Sequence, residues 1–130
     1  MILSPIYDRI ENLCTSLNTF RIAYGMATVN ESQTPVAYLH PTMEEATRST
    51  ADNFVIQTLE CKFSIMLAVS VSNIDTLETI RTEIRNTLLG FVPADDYDAI
   101  EYDSGEILES SASVIWWRDT FITTHYVRQQ

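Results

Sequence analysis

The chain has 130 residues, 45% of them hydrophobic, and a formal net charge of −10. That length and apolar content predict one globular domain and exclude a disordered or staple-dependent chain. No apolar run reaches about 18 residues, so no membrane span is expected. The start, Met1-Ile2-Leu3-Ser4-Pro5, lacks a basic region before an apolar core, so no signal peptide is expected and synthesis in the cytoplasm follows.

The elements are predicted in order. Ser4 caps a first helix with Pro5 in its opening turn, and Ile6, Ile10, Leu13 and Leu17 form one apolar face to near Asn18. Thr19 to Tyr24 reads as a short strand. Residues 25–34 are polar and turn-rich. Pro35 to Pro41 encloses a short buried strand, and residues 42–53, with no apolar face, read as a long exposed loop. Leu59 to Val71 gives the strongest signal. Leu59, Cys61, Phe63, Ile65, Leu67, Val69 and Val71 alternate with Glu60, Lys62, Ser64, Met66, Ala68, Ser70 and Ser72. This predicts a long strand with one core face and one more polar face.

Asn73 or Asp75 is expected to cap a second helix, with Leu77, Ile80, Ile84 and Leu88 as its buried stripe and Gly90 as its stop. The acidic loop Ala94-Asp95-Asp96-Tyr97-Asp98 reads as a solvated turn. Ile100 to Tyr102 and Glu106 to Leu108 are predicted to form a hairpin through Asp103-Ser104-Gly105. The last strand, Val114 to Val127, carries large side chains on both faces, which places it mid-sheet or in a subunit interface. The sum is an α+β fold: a single mostly antiparallel β-sheet with two α-helices packed on one face.

The residues offer little chemistry. The seven arginines and single lysine are scattered, which does not make a phosphate-binding surface. His40 and His125 are isolated and read as structural. Cys14 and Cys61 read as buried free thiols. No zinc spacing, phosphate-binding glycine loop or Gly-x-Ser-x-Gly elbow occurs, and the acidic loop lacks the glycine and distal glutamate of a calcium loop. No catalytic residue, metal or cofactor is expected, and no enzyme. Asp119 shares a strand face with Trp117 and Phe121, so it needs a partner, favoured within the fold. Trp116 and Trp117 point to opposite faces, so one must be covered by a helix, a loop or another subunit.

The opening helix through Leu17, the second helix ending in Leu88-Leu89-Gly90-Phe91 with Pro93, the expected Tyr102 to Leu108 hairpin with Gly105, and Ile115-Trp116-Trp117-x-Asp119-x-Phe121 together resemble the bacteriophage tail terminator (tail completion, minor tail protein U-like) family. Residues 25–53 depart from that pattern. The resemblance implies a single domain over 1–130, and the composition of residues 25–34 and 42–53 adds long exposed loops there. It implies a homo-oligomeric ring, typically of six, that caps the head-proximal end of the tail tube, stops its polymerisation and offers a docking surface to the head connector. The partners implied are further copies of the chain, the tail tube protein and the connector proteins, with DNA passing through the ring without sequence-specific binding. The place implied is the neck of a virion tail. Candidate assembly contacts are Glu44, Glu45, Arg48, Trp116, Trp117 and Asp119. The competing readings are another neck component, a tube-like structural protein, or a small-ligand binding domain.

Overall fold

The computed structural model describes residues 2–23, 29–49 and 54–128. Helix α1 spans Ser4–Leu13, strand β1 Thr19–Ile22, β2 Val36–Ala46, β3 Ile56–Ser70, helix α2 Ile74–Leu88, β4 Glu101–Ser110 and β5 Val114–Arg128. The five strands form one sheet in the order β1-β2-β3-β5-β4. Both helices pack on one face, as expected. Three neighbouring pairs are antiparallel, while β1 runs parallel to β2, so the sheet is mixed.

The core follows the sequence periodicity. Ile6 and Ile10 of α1 and Ile80, Ile84 and Leu88 of α2 lie on Leu39, Phe63, Ile65, Leu67, Val69 and Phe121 of the sheet. Each such side chain, fully buried, contributes roughly 1.5–3 kcal/mol. Cys14 and Cys61 are buried and free. Burial first, then the neighbouring Glu44 carboxylate, push the Cys61 thiol up to about 11. Burial also raises Cys14. Neither thiol is expected to react with a chromogenic disulfide reagent at pH 8 while the protein is native. Both should react at once in denaturant, and rapid native labelling would contradict this burial.

Several boundaries differ from expectation, each for a local reason. Leu3, not Ser4, is the N-cap of α1, with its carbonyl accepting from Tyr7 N–H at 2.8 Å and no side-chain cap. The helix stops at Leu13 rather than near Asn18. Beyond it, the Thr15 N–H and Ser16 hydroxyl donate to the Glu83 carboxylate on α2 at 2.7 and 2.6 Å, bonds that draw the chain off the helix. Leu13 is consequently exposed. β1 ends at Ile22, and Tyr24 lies outside the described residues. A 3₁₀ turn, Val71–Asn73, precedes α2, and neither Asn73 nor Asp75 caps it; the Ser70 hydroxyl instead accepts from Ser72 N–H. Gly90 stops α2 with φ +84°, the left-handed conformation that glycine adopts without steric cost.

Two larger corrections concern strands. Residues 42–46, read as loop, continue β2: Met43 to Ala46 pair with Lys62 to Leu59 after a bulge past Pro41. Their side chains are exposed, so backbone pairing holds most of the segment, with Thr42 Oγ1 2.9 Å from the Ser64 hydroxyl, and periodicity has nothing to report. The predicted Asp103-Ser104-Gly105 turn does not exist. β4 is one strand, bulged between Tyr102 and Ser104 and between Ile107 and Glu109, and the chain turns at residues 111–113.

The second face of β3 is not polar throughout either. Val36, Tyr38, Met66, Ala68, Val114 and Trp116 form a second buried cluster opposite the helices, joined by Ala23 and Val29. Parallel pairing of β1 and β2 explains the cover. The connection must return along the sheet before β2 begins, and its described ends lie over this cluster. Glu31, in a 3₁₀ turn of that connection, accepts from the Ser70 and Ser72 hydroxyls at 2.6 and 3.3 Å. Residues 25–28 of the expected loop lie outside the described residues.

Candidate assembly surfaces

Beneath α2 the fold assembles a polar knot within an apolar face. Arg81 follows Leu77 by one helical turn, which aims it at the sheet beside Ile80 and Ile84. Its Nε and Nη2 donate to Asp119 Oδ2 and Oδ1, both at 3.0 Å. The Tyr102 hydroxyl donates to Oδ1 at 2.8 Å and Trp117 Nε1 at 3.0 Å. The Arg81 guanidinium lies 4.3 Å from the centre of the Trp117 ring. Glu78 accepts from Arg81 Nη1 at 2.8 Å on the outer side. The hydrogen bonds to Asp119 hold the Arg81 guanidinium well above its ordinary range. Burial, then the Asp119 carboxylate, raise the Tyr102 phenol.

Asp119 is 3% exposed, and the expectation of a partner within the fold holds. The knot also explains Gly105, which pairs with Asp119 across β4 and β5. A β-carbon there would sit 2.7 Å from Asp119 Oδ1 and 3.1 Å from the Trp117 ring, and would collide with the Tyr102 hydroxyl. Glycine is required here for close approach, not for a turn.

The two tryptophans divide as adjacent strand residues must. Trp116 is buried in the second cluster and stacks on Tyr38 with ring centres 5.8 Å apart. Trp117 is half-buried on the helix side, under Arg81. Trp116, Trp117 and Asp119 therefore lie inside the fold on opposite sides of β5. Glu44 and Glu45 stand apart from them, exposed on the outer half of β2, and Arg48 lies beyond its end.

That outer half is an arm. β2 and β3 continue past the helix layer, joined by Thr47 N–H to the Thr58 carbonyl at 2.9 Å and by Gln57 Nε2 to the Thr47 carbonyl at 2.7 Å. The Ser49 hydroxyl accepts from Ile56 N–H at 3.1 Å. Phe54 and Val55 are exposed near the tip. The acidic loop at 94–98 is not a free turn. It straps the outer half of β5, through Asp98 N–H to the Thr124 carbonyl and Tyr126 N–H to the Asp96 carbonyl, both at 2.8 Å, with Tyr97 stacked on His125. His40 Nδ1 lies 3.0 Å from the Ala23 carbonyl.

A shallow recess of about 620 Å³ is lined by Asn30, Glu31, Ser32, Thr34, Ser70 and Asn73. Among the described residues no group of three or more His, Cys, Asp or Glu is placed to hold a metal ion. No helix among them is long and apolar enough to cross a membrane. Sequence reasoning missed Arg81, Tyr102 and Gly105. The available signal was Arg81 itself, a cation at a stripe position of α2, matched by an acid at an apolar position of β5.

A family model described as phage tail terminator protein matches residues 1–130. No curated protein matches the chain. Among solved structures, a chain from the virion of the native gene transfer agent (GTA) particle is similar at 8% identity, with a TM-score of 0.62, covering 94% of this chain and 92% of that one. At that identity the likeness concerns the fold.

Proposed function

The chain belongs to the phage tail terminator family, and from that premise we propose that it caps the head-proximal end of a tail tube as a ring, stops tube polymerisation and presents the docking surface for the head connector. The family is one of structural phage proteins. The observation that carries the proposal is the family match over residues 1–130. The ring is of six copies, and its partners are neighbouring copies, the tube protein and the connector proteins. The subunit is made in the bacterial host cytoplasm and ends at the neck of the virion, where DNA slides past it. A net charge of −10 supports both a soluble free subunit and a surface that does not hold DNA.

A ring requires a heterologous interface that closes. The arm is the feature best placed to make one, because it is ordered by backbone pairing yet contributes little to the core. Glu44, Glu45 and Arg48 are the proposed contacts on it. Trp116, Trp117 and Asp119 act through the fold, holding β4, β5 and α2 in place. The competing small-ligand reading has no support in the polar knot, whose groups bond to one another.

Electron microscopy of particles from a strain lacking this gene alone tests the proposal. Tails of abnormal or variable length with heads unattached are expected. Tails of normal length without heads would move the protein to another position in the neck, and intact infectious particles would refute an assembly role.

A further inference from the structure

The two long edges of the arm are treated differently. The outer half of β5 is closed by residues 94–98, with Asp98 N–H on the Thr124 carbonyl, Tyr126 N–H on the Asp96 carbonyl and a bridge between Tyr97 and His125. On the other side, β1 covers only Val36 to Leu39 of β2. Among the described residues no strand pairs with the outer side of Met43 to Ala46. The Thr47 N–H donates inward, to the Thr58 carbonyl at 2.9 Å. Antiparallel alternation therefore turns the N–H and carbonyl of Ala46 outward, away from β3. Such groups are a template for one more strand.

The side chains along this edge say what can join it. The register sets Glu45 directly opposite Glu60, on the sheet face away from the helices. Both are exposed, and neither has an ion-pair partner among the described residues. Lys62, two residues along that face, is held by Asp103 at 3.6 Å. Like charges directly opposite each other cost stability. An edge can be guarded without that cost, by a single charge or a proline. Two glutamates in register form a site that a cation relieves.

We infer that the outer edge of β2, from Met43 to Ala46, receives an extended segment of another protein as an added strand, with a Lys or Arg of that segment beside Glu45. Main-chain bonds to Ala46 supply affinity, and the opposed glutamates select a basic segment over others. A second copy of this chain is the wrong occupant, because it carries 18 acidic residues against 8 basic ones and a net charge of −10. Glu45 then serves a partner outside the ring proposed above. The arm is already held by its pairing with β3 and by Gln57, so little order has to be gained on docking.

The probe is a short labelled peptide alternating lysine with valine, titrated into the purified full chain at about 0.15 M salt, where long-range attraction to an acidic protein is screened. It should bind and protect the Ala46 amide from hydrogen exchange. A glutamate–valine peptide of the same length should not. Ala46→Pro removes the outward donor and keeps the bonds to β3, so it should weaken binding of the lysine peptide at least tenfold with little change in melting temperature. Glu60→Lys should raise the melting temperature, by relieving the opposed glutamates, and still weaken binding; a purely structural pair of acids would not split the two readouts this way. Should Ala46→Pro fail to fold, Glu60→Lys carries the test. No binding of the lysine peptide, equal binding of the two peptides, or binding that both variants leave intact would overturn the inference. A dimer of the native chain that Ala46→Pro turns into a monomer would make the occupant a second copy, and would overturn it too. No tail enters the titration, so these failures leave the ring reading standing.

Discussion

Arg81→Leu is expected to destabilise the protein by about 3–5 kcal/mol, the usual cost of removing one partner from a buried ion pair. The Arg81 and Asp119 side chains are 12% and 4% exposed, so water cannot replace the lost bonds without opening the contact between α2 and the sheet. Tyr102 and Trp117 still donate to the carboxylate, but neither carries charge. At roughly 3–6 °C per kcal/mol for a domain of this size, the melting temperature should fall by at least 10 °C. Asp119→Asn in the same background should recover part of the loss. It removes the stranded charge and keeps a carbonyl oxygen for Tyr102 and Trp117. A double-mutant cycle should give a coupling energy of about 1–3 kcal/mol. A cost below about 1 kcal/mol for the single variant would mean that the pair behaves as a surface salt bridge.

Trp116→Ala and Trp117→Ala should separate stability from assembly. Trp116 fills the second cluster and stacks on Tyr38, so its truncation leaves a cavity costing about 3–5 kcal/mol. Trp117 loses one hydrogen bond, about 1 kcal/mol, and a cation–π contact of about 0.5–2 kcal/mol. The surrounding core is otherwise kept. Its β-strand partner is Ile107, so truncation loosens the β4 edge where it bears the exposed isoleucine. Trp117→Ala should therefore lose less melting temperature than Trp116→Ala yet cap tails poorly. Melting curves set beside tail-length distributions decide the matter. Equal loss of stability in the two variants would show that both side chains are core alone.

The fold was legible where side chains alternate or recur with burial. Phe63 to Val69 and the α2 stripe announced the sheet and its helix layer, and the pairing of large groups on both faces of β5 placed it inside the sheet. What periodicity cannot register is an exposed strand held mainly by its backbone pairing, which is why residues 42–46 read as loop. Gly105 misled for a different reason. Glycine marks either a turn or a close approach, and the atoms that demand the close approach lie far along the chain in Asp119 and Trp117. The acid at 119 was recognisable as needing a partner, but its identity depends on the crossing of α2 over β5.

The pairing of β3 with β5 joins Ser70 to Val114 and Ile56 to Arg128, an enclosure that contains all of α2 and β4. Closing such a loop is entropically expensive before any contact rewards it, which places the central ladder late in folding and the domain among slow folders. β2 and β3 are joined by a far shorter connection, so they can pair while β5 is still to be made, and β3 then presents a bare edge of alternating apolar residues. Glu60, Lys62 and the hydroxyls at Ser64 and Ser70 break up that apolar edge. A net negative charge of this size serves biogenesis as well as the finished particle, by keeping half-made subunits apart while the last strand is still to come.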